Sequence, residues 1–213
     1  MISKTTLLFA VFAFILFSCT KQPVHIVCVG DSITAGYGLK LENKTAYPFI
    51  LNELLGPDYE VLNFGRSATT MSQAGDFPFW ITKEFSNVFA AQPNIITIKL
   101  GTNDTKPQNW NIKTYLDSYQ AMIDTFRTIK SHPKIFLCNP VPVYQDRWGI
   151  NDSTLVYGVI PAIQELADRN KLYVIDLYTG MQNQAANFPD GVHPNEKGMQ
   201  QMAKLIAAAL KQD

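Results

Sequence analysis

Apolar residues concentrate in five short stretches of the chain that are spaced at similar intervals. Within each stretch the apolar residues follow one another almost without interruption and do not alternate with polar ones. Continuous runs of this length are typical of parallel strands that are covered on both faces. The pattern predicts strands over residues 24–29, 59–63, 94–100, 134–139 and 172–177.

The segments between these runs carry helical patterns. In the clearest one, apolar residues from Tyr115 to Ile129 recur every three or four positions and form one stripe. Asn195 precedes the last pattern, where an asparagine can cap the first helical turn. Alternating strands and helices predict a doubly wound α/β sheet. The predicted helices cover residues 47–55, 112–130, 155–170 and 196–211, with a mixed helical pattern over 75–91.

The first eighteen residues have the features of an export signal. Lys4 supplies a positive charge, and residues 7–17 form an apolar run that is shorter than the about 20 residues needed to span a bilayer. Cys19 follows Ser18 in the way that the acylated cysteine follows a small residue in bacterial lipoprotein signals. We expect residues 1–18 to be a signal peptide and Cys19 to carry a lipid. This lipid is the one membrane contact expected, and it would anchor the protein in the periplasm or at the cell surface. Simple secretion is the alternative, and residues 23–213 are expected to form one domain.

Charge and composition exclude two classes of function. The 18 Lys and Arg residues balance the 18 Asp and Glu residues, and no basic segment indicates a nucleic-acid partner. Three histidines and three cysteines without a cluster give no basis for a metal site. Cys28 and Cys138 fall in predicted strands, so we expect them to be buried thiols.

A serine directly follows the first predicted strand, in the segment GDSIT at residues 30–34. A buried strand that ends in a small polar turn delivers this residue, Ser32, to the carboxyl edge of the sheet, where open α/β folds bind ligands. Ser32 is therefore a candidate nucleophile, although a serine hydroxyl requires a neighbouring base. A turn serine that caps the following helix is the alternative interpretation.

The candidate base lies far along the chain, in the segment DGVHPN at residues 190–195. Asp190 and His193 are three residues apart, so the carboxylate can hold one ring nitrogen while the other faces Ser32, as in hydrolytic triads. A turn aspartate and a loop histidine are the alternative readings of this pair. His25 falls inside a predicted strand and His132 in a Ser-His-Pro turn, and neither is expected to act as a base.

Four blocks of the sequence together resemble the SGNH (GDSL-type) hydrolases. They are residues 30–34, residues 63–65 (NFG), residues 101–104 (GTND) and the pair Asp190 and His193, and they follow the family's order along the chain. The resemblance implies a single-domain, flavodoxin-like fold with a five-stranded parallel sheet in the order 2-1-3-4-5. It also implies a serine esterase with Ser32, His193 and Asp190 as catalytic residues and no cofactor or metal.

The resemblance further assigns the donors that stabilise negative charge on the ester carbonyl oxygen. They are the backbone N–H of Ser32, the backbone N–H of Gly65 and the side-chain amide of Asn103. A glycine suits this role because the backbone must approach the substrate closely, and an asparagine suits it because its amide donates without a charge.

The same resemblance indicates the substrate class. Residues 99–110 (KLGTNDTKPQNW) are similar to the bacterial branch that includes sialate O-acetylesterases and other carbohydrate acetylesterases, so an O-acetylated glycan is the expected substrate. Arg66 is a hypothetical ligand for the carboxylate of sialic acid. Residues 30–38 also resemble arylesterases, thioesterases and lysophospholipases, which form the alternative, and a non-catalytic glycan-binding lipoprotein is a third reading. Specificity is expected to come from two longer connections, residues 69–79 and 140–154.

Overall fold

The computed structural model describes residues 22–211, and the strands of this part of the chain are β1 (Val24–Gly30), β2 (Tyr59–Gly65), β3 (Ile95–Lys99), β4 (Lys134–Asn139) and β5 (Tyr173–Asp176). They form a sheet in the order β2-β1-β3-β4-β5, and each neighbouring pair is parallel. The predicted fold class and strand order are therefore confirmed. The expected signal peptide and Cys19 lie outside the described residues.

The helices of residues 22–211 connect these strands and cover the sheet. They are α1 (Ser32–Ala35), α2 (Glu42–Thr45), α3 (Tyr47–Leu55), α4 (Lys83–Ala91), α5 (Ile112–Arg127), α6 (Asp152–Thr154), α7 (Ile160–Asn170), α8 (Leu177–Gly180) and α9 (Glu196–Lys211). The bounds of α3 and α9 are those predicted from the sequence. No helix within residues 22–211 combines the length and the apolar character needed to cross a membrane.

The sheet separates two apolar cores, because alternate side chains of a strand point to opposite faces. In β1, Val27 and Val29 belong to the core shared with α5 and α7, whereas Ile26 and Cys28 belong to the core shared with α3 and α9. All four side chains are fully buried. Coverage of both faces is the reason that the strands are continuously apolar in the sequence.

The helix predicted over residues 75–91 is wrong in its first half. The α-helix begins only after Thr82, whose Oγ1 accepts a hydrogen bond from the N–H of Phe85 at 3.2 Å. Before that point, Thr70 donates its N–H to the carbonyl of Phe77 and accepts from the N–H of Phe79, both at 2.9 Å. These backbone groups are satisfied by pairing across a loop, so they are not available for helical hydrogen bonds.

Two other predicted helices differ at one end. The element predicted over residues 155–170 opens with a π-helical segment, Leu155–Val159, before α7. The element predicted to end at residue 130 stops at Arg127. Deviations at helix ends are common because terminal hydrogen bonds are easily replaced.

The carboxyl ends of the strands collect the polar segments at one edge of the sheet. Gly30 lies level with Gly65 on β2 and with Lys99 on β3, so three strands end side by side. The segments that follow them carry Ser32, residues 66–82 and Asn103. The fold thus brings the sequence blocks with candidate chemistry to a common edge, as expected for an open α/β sheet.

Candidate active site

Three side chains from opposite ends of the chain form one hydrogen-bonded series. Ser32 Oγ lies 2.9 Å from His193 Nε2, although the two residues are separated by 161 positions. His193 Nδ1 lies 2.8 Å from Asp190 Oδ2. The sheet therefore assembles the three residues that the sequence suggests as nucleophile, base and orienting acid.

Ser32 is the first residue of α1, and its neighbour Asp31 fixes the turn that presents it. Asp31 Oδ1 accepts a hydrogen bond from the N–H of Ile33 at 3.0 Å and so caps the helix. Lys99 Nζ lies 2.9 Å and 3.0 Å from the two oxygens of Asp31, and 3.2 Å from Thr102 Oγ1. Both charged side chains are completely buried, so each compensates the charge of the other. A buried ion pair thus ties the serine turn to the end of β3.

The glycine before this turn is required by space. A Cβ atom at Gly30 would lie 2.0 Å from Thr34 Oγ1 and 2.9 Å from the carbonyl oxygen of Lys99. The backbone of β1 therefore approaches α1 and β3 too closely for any side chain at this position. This close contact is sufficient to explain why the GDSIT block begins with glycine, and no catalytic role for Gly30 is needed.

Asp190 holds His193 through its own short loop. Asp190 Oδ1 accepts the backbone N–H groups of Val192 at 2.9 Å and His193 at 2.7 Å, while Oδ2 meets the imidazole. Burial acts to raise the pKa of Asp190, but these two N–H donors and the ring of His193 outweigh it, so the pKa lies below its usual value. An ionised Asp190 fixes the proton of His193 on Nδ1 and leaves Nε2 free to accept the proton of Ser32.

A small cavity opens beside Ser32 and His193. Its volume is about 180 Å³. Its floor includes the side chain of Ile150, which is 4% exposed, and its rim includes two half-exposed aromatic residues, Tyr37 and Trp148. The full lining is Ser32, Tyr37, Ser67, Ala68, Asn103, Lys106, Trp148, Ile150 and His193.

Of the three donors expected to face the ester oxygen, Ser32 and Asn103 line this cavity and Gly65 does not. The N–H of Gly65 donates to Asn63 Oδ1 at 2.9 Å. A Cβ at Gly65 would lie 2.1 Å from the backbone nitrogen of Ala35, so this glycine serves the close contact of β2 with α1. The structure therefore gives the N–H of Gly65 another partner and offers no support for Gly65 as an oxyanion donor, which stays a prediction.

Ala68, three residues after Gly65, lies at the same cavity as Ser32 and Asn103. It lines the cavity, and within residues 22–211 its backbone N–H has no hydrogen-bond acceptor. Its φ of 68° lies in the left-handed region that favours glycine. Sequence reasoning missed Ala68 because alanine carries no signal for this conformation.

Asn103 and Asp104 hold the loop that carries Ala68. Asn103 Nδ2 donates one hydrogen to the carbonyl of Thr69 at 3.1 Å, which leaves its second N–H for the cavity. Asp104 accepts the backbone N–H groups of Met71 at 2.9 Å and Ser72 at 2.8 Å. Complete burial raises the pKa of Asp104 to about 7, although these two N–H groups act in the opposite direction. The third sequence block thus places an amide at the cavity and anchors the segment that carries Ala68.

Several residues considered from the sequence lie away from the site. Arg66 does not line the cavity; its guanidinium lies 4.0 Å from Glu84 and over the ring of Phe77. Cys28 and Cys138 are buried free thiols, and burial raises the pKa of both. Between residues 22 and 211, no three His, Cys, Asp or Glu side chains are grouped so that they could hold a metal ion.

A Ser-His-Asp series at the carboxyl edge of a parallel sheet is one of the arrangements that acyl-transfer enzymes use. Residues 28–201 match the GDSL-like lipase/acylhydrolase family, and the chain belongs to this family. A curated relative, the acetylxylan esterase of Xylanibacter ruminicola, is 38% identical over 210 residues. The match covers 90% of this chain and 44% of the relative, so the chain spans less than half of that protein's length.

Solved structures share the fold over most of the chain. The lipase/acylhydrolase from Enterococcus faecalis has a TM-score of 0.72 at 25% identity, with 89% of this chain and 96% of that chain covered. Est24, a carbohydrate acetylesterase from Sinorhizobium meliloti, has a TM-score of 0.71 at 19% identity, with 89% and 99% covered. The M. smegmatis aryl esterase has a TM-score of 0.71 at 20% identity, with 89% and 99% covered. These likenesses support the fold, and the match to the family supports the predicted resemblance.

Proposed function

We propose that this protein is a serine esterase that removes acetyl groups from carbohydrates, with Ser32, His193 and Asp190 as its catalytic residues. The observation that carries the proposal is the unbroken series of hydrogen bonds from Asp190 through His193 to Ser32, which ends at a small cavity. This is the arrangement of orienting acid, general base and nucleophile used in acyl transfer.

The reaction runs in two steps. Ser32 Oγ attacks the ester carbonyl while His193 Nε2 takes its proton, and the imidazolium then gives that proton to the departing sugar hydroxyl. The acetyl group remains on Ser32 as an ester. In the second step His193 removes a proton from a water molecule, which attacks the acetyl carbonyl and releases acetate and free Ser32. Asp190 stabilises the imidazolium in both steps without taking up a proton.

The negative charge that forms on the carbonyl oxygen requires hydrogen-bond donors that are already in place. Ser32 N–H belongs to the first turn of a helix, where backbone N–H groups have no partner within the helix. Ala68 and Asn103 line the same cavity, and the hydrogen bond to Thr69 uses only one of the two amide hydrogens of Asn103. We assign these three donors to the oxyanion, and the loss of one such donor typically lowers turnover on the order of 10²–10³-fold.

The size of the cavity supports a short acyl group. Its volume of about 180 Å³ is below the roughly 300–1,000 Å³ of pockets that hold drug-sized ligands. Ile150 contributes a buried apolar side chain to its lining, and an acetyl group fits the volume beside Ser32. A lysophospholipase or a long-chain thioesterase would have to place its acyl chain outside this cavity.

Xylan is the first substrate to test among acetylated carbohydrates. The relative that is 38% identical is named an acetylxylan esterase, although this chain covers only part of it. A sialoside is less well supported, because Arg66 is turned toward Glu84. Lys106 is the cationic residue that lines the cavity, and its ammonium lies 3.4 Å from Asp76.

The test is acetate release from acetylated xylan, O-acetylated sialosides, acetylated pectin and peptidoglycan, with p-nitrophenyl acetate and octanoate as small esters. We expect the wild type to release acetate from xylan and to prefer acetate over octanoate. Ser32→Ala should abolish release, whereas Ser86→Ala, a serine on the exposed side of α4, should not change it. Octanoate as the better ester would favour the lipid or thioester branch. Carbohydrate binding without serine-dependent hydrolysis would identify a binding protein.

We also propose export with a lipid on Cys19. The support is the sequence pattern of residues 1–19. Radiolabelled palmitate should enter the full-length protein in a bacterial host and fail to enter Cys19→Ala. Unlabelled but exported wild-type protein would favour simple secretion.

A further inference from the structure

Three cavities follow one another along the carboxyl edge of the sheet. The cavity at Ser32 shares Trp148 and Ile150 with a second one of about 400 Å³. It shares Tyr37 and His193 with a third one of about 630 Å³, and the second and third cavities have no lining residue in common. Ser32 therefore lies at the narrow middle of one groove, and an aromatic side chain stands at each of the two boundaries.

Trp148 lies in a type of turn in which tryptophan is not a preferred residue. Arg147 and Ile150 exchange two backbone hydrogen bonds, at 3.0 Å and 2.8 Å, around the two-residue turn of Trp148 and Gly149. Both central residues have positive φ, 54° and 80°, as in a type I′ turn, where asparagine followed by glycine is preferred. Positive φ is unfavourable for a bulky residue such as tryptophan. Burial does not compensate for this conformation, because 52% of Trp148 is exposed to solvent.

The surroundings of Trp148 hold its ring at the edge of the groove. The guanidinium of Arg147 lies 4.6 Å from the ring centroid, and the ring of His193 lies 5.6 Å away. An unfavourable backbone conformation without burial is typical of residues that serve a site and not the fold. The fold therefore gains little from a tryptophan at this position, which suits contact with a ligand better.

Tyr37 stands at the other boundary and is tied to the nucleophile. Its backbone N–H donates to the carbonyl of Ser32 at 2.9 Å. Its ring centroid lies 4.7 Å from that of His193, and 48% of the residue is exposed. Two exposed rings, Tyr37 and Trp148, therefore flank His193.

We infer that this groove binds an oligosaccharide chain across Ser32, with Tyr37 and Trp148 packing against sugar units on the two sides of the acetylated one. The faces of a sugar ring carry C–H groups that pack on aromatic rings, while its hydroxyl groups need polar partners. The outer cavities supply such partners, including Lys40 and Lys197 in one and Asp146 and Arg147 in the other. The inference rests on the proposed function and adds that the substrate is a polymer.

The test compares acetylated xylo-oligosaccharides of increasing length, from one xylose unit to the hexasaccharide, with p-nitrophenyl acetate as the small ester. We expect kcat/KM per acetyl group to rise with chain length. Trp148→Asn should lower kcat/KM for the hexasaccharide by roughly 10- to 30-fold, mainly through KM, and should affect p-nitrophenyl acetate far less. Tyr37→Ala should act in the same direction.

Controls keep the test independent of folding. Asparagine suits the type I′ turn, so Trp148→Asn should melt at or above the wild-type temperature. Trp148→Phe should recover part of the lost affinity, and Tyr157→Ala, an aromatic residue that is 83% exposed and lines none of the three cavities, should behave as wild type.

The outcomes separate the two proposals. Equal kcat/KM at every chain length, or equal losses on oligosaccharide and p-nitrophenyl acetate, would overturn the groove and leave the esterase intact. No acetate release from any carbohydrate would overturn both.

Discussion

Ser32 and His193 meet at one edge of the sheet, but the segments that carry them differ in burial and in the range of their contacts. The serine turn is held by Asp31 and Lys99, which are completely buried and 68 positions apart. His193 is held by Asp190, three positions away and 23% exposed at its side chain. Changes on the serine side should therefore damage the fold, whereas changes on the histidine side should damage the reaction.

After the loss of the nucleophile in Ser32→Ala, the largest effect on activity is expected for Asp190→Asn. An amide cannot hold His193 in the tautomer that accepts the proton of Ser32, so kcat should fall by as much as on the order of 10⁴-fold. The measurement is turnover of p-nitrophenyl acetate. The matched control is Asp58→Asn, the same change at an exposed aspartate. Near-normal turnover would exclude Asp190 as the orienting acid.

The largest effect on stability is expected for Lys99→Met. This change leaves the charge of Asp31 buried without a partner, and the free energy of unfolding should fall by about 3–5 kcal/mol. Denaturant unfolding measures the loss, and Lys113→Met, which removes an exposed ion pair with Asp117, should cost no more than about 0.5 kcal/mol.

A double variant sharpens the contrast. Asp31→Asn combined with Lys99→Met removes both buried charges, so it should be more stable than Lys99→Met alone. If the double variant were the less stable of the two, Asp31 would be needed in its charged form for another reason, such as capping α1.

A pH-dependent effect is expected at Asp104. Its pKa of about 7 in the folded protein exceeds its usual 3.8, so the folded state holds the proton more tightly than the unfolded state. The resulting stabilisation is present in full below about pH 4 and is lost as the pH rises through 7. The difference in unfolding free energy between wild type and Asp104→Asn should therefore shrink over this interval. A constant difference would show that Asp104 is ionised throughout.

The smallest effect is expected for Ala68→Gly. Glycine adopts the positive φ of this position without strain, so the stability should change by no more than about 1 kcal/mol. Turnover should stay within a few-fold, because the proposed donor is a backbone N–H. Gly65→Ala is the contrasting variant, since its Cβ would collide with the backbone of Ala35 and destabilise the fold.

The sequence was sufficient for the parts of the molecule that repeat a general pattern. Apolar runs predicted the strands because both faces of the sheet are covered, and the bounds of α3 follow from Gly56 and Pro57 after its last turn. The order of the strands came from the family resemblance, because periodicity does not record which strands are neighbours.

The parts that escaped prediction depend on contacts between distant residues. Ala68 carries no conformational signal, and Gly65 resembles a ligand-facing glycine although its space is filled by α1. The pairing of Asp31 with Lys99 joins two strands, and neither residue by itself indicates a buried charge. Such features become visible only when the sheet has been assembled.

The separation of Ser32 and His193 along the chain also makes hydrolysis a reporter of folding. The nucleophile and the base belong to opposite ends of the described chain, and they meet only when β1, β3 and the loop before α9 have docked. Partly folded molecules hold a serine without a base and are silent toward esters. During refolding, the return of ester hydrolysis therefore times the docking of the loop before α9 against the end of β1, even if helix and strand signals recover earlier.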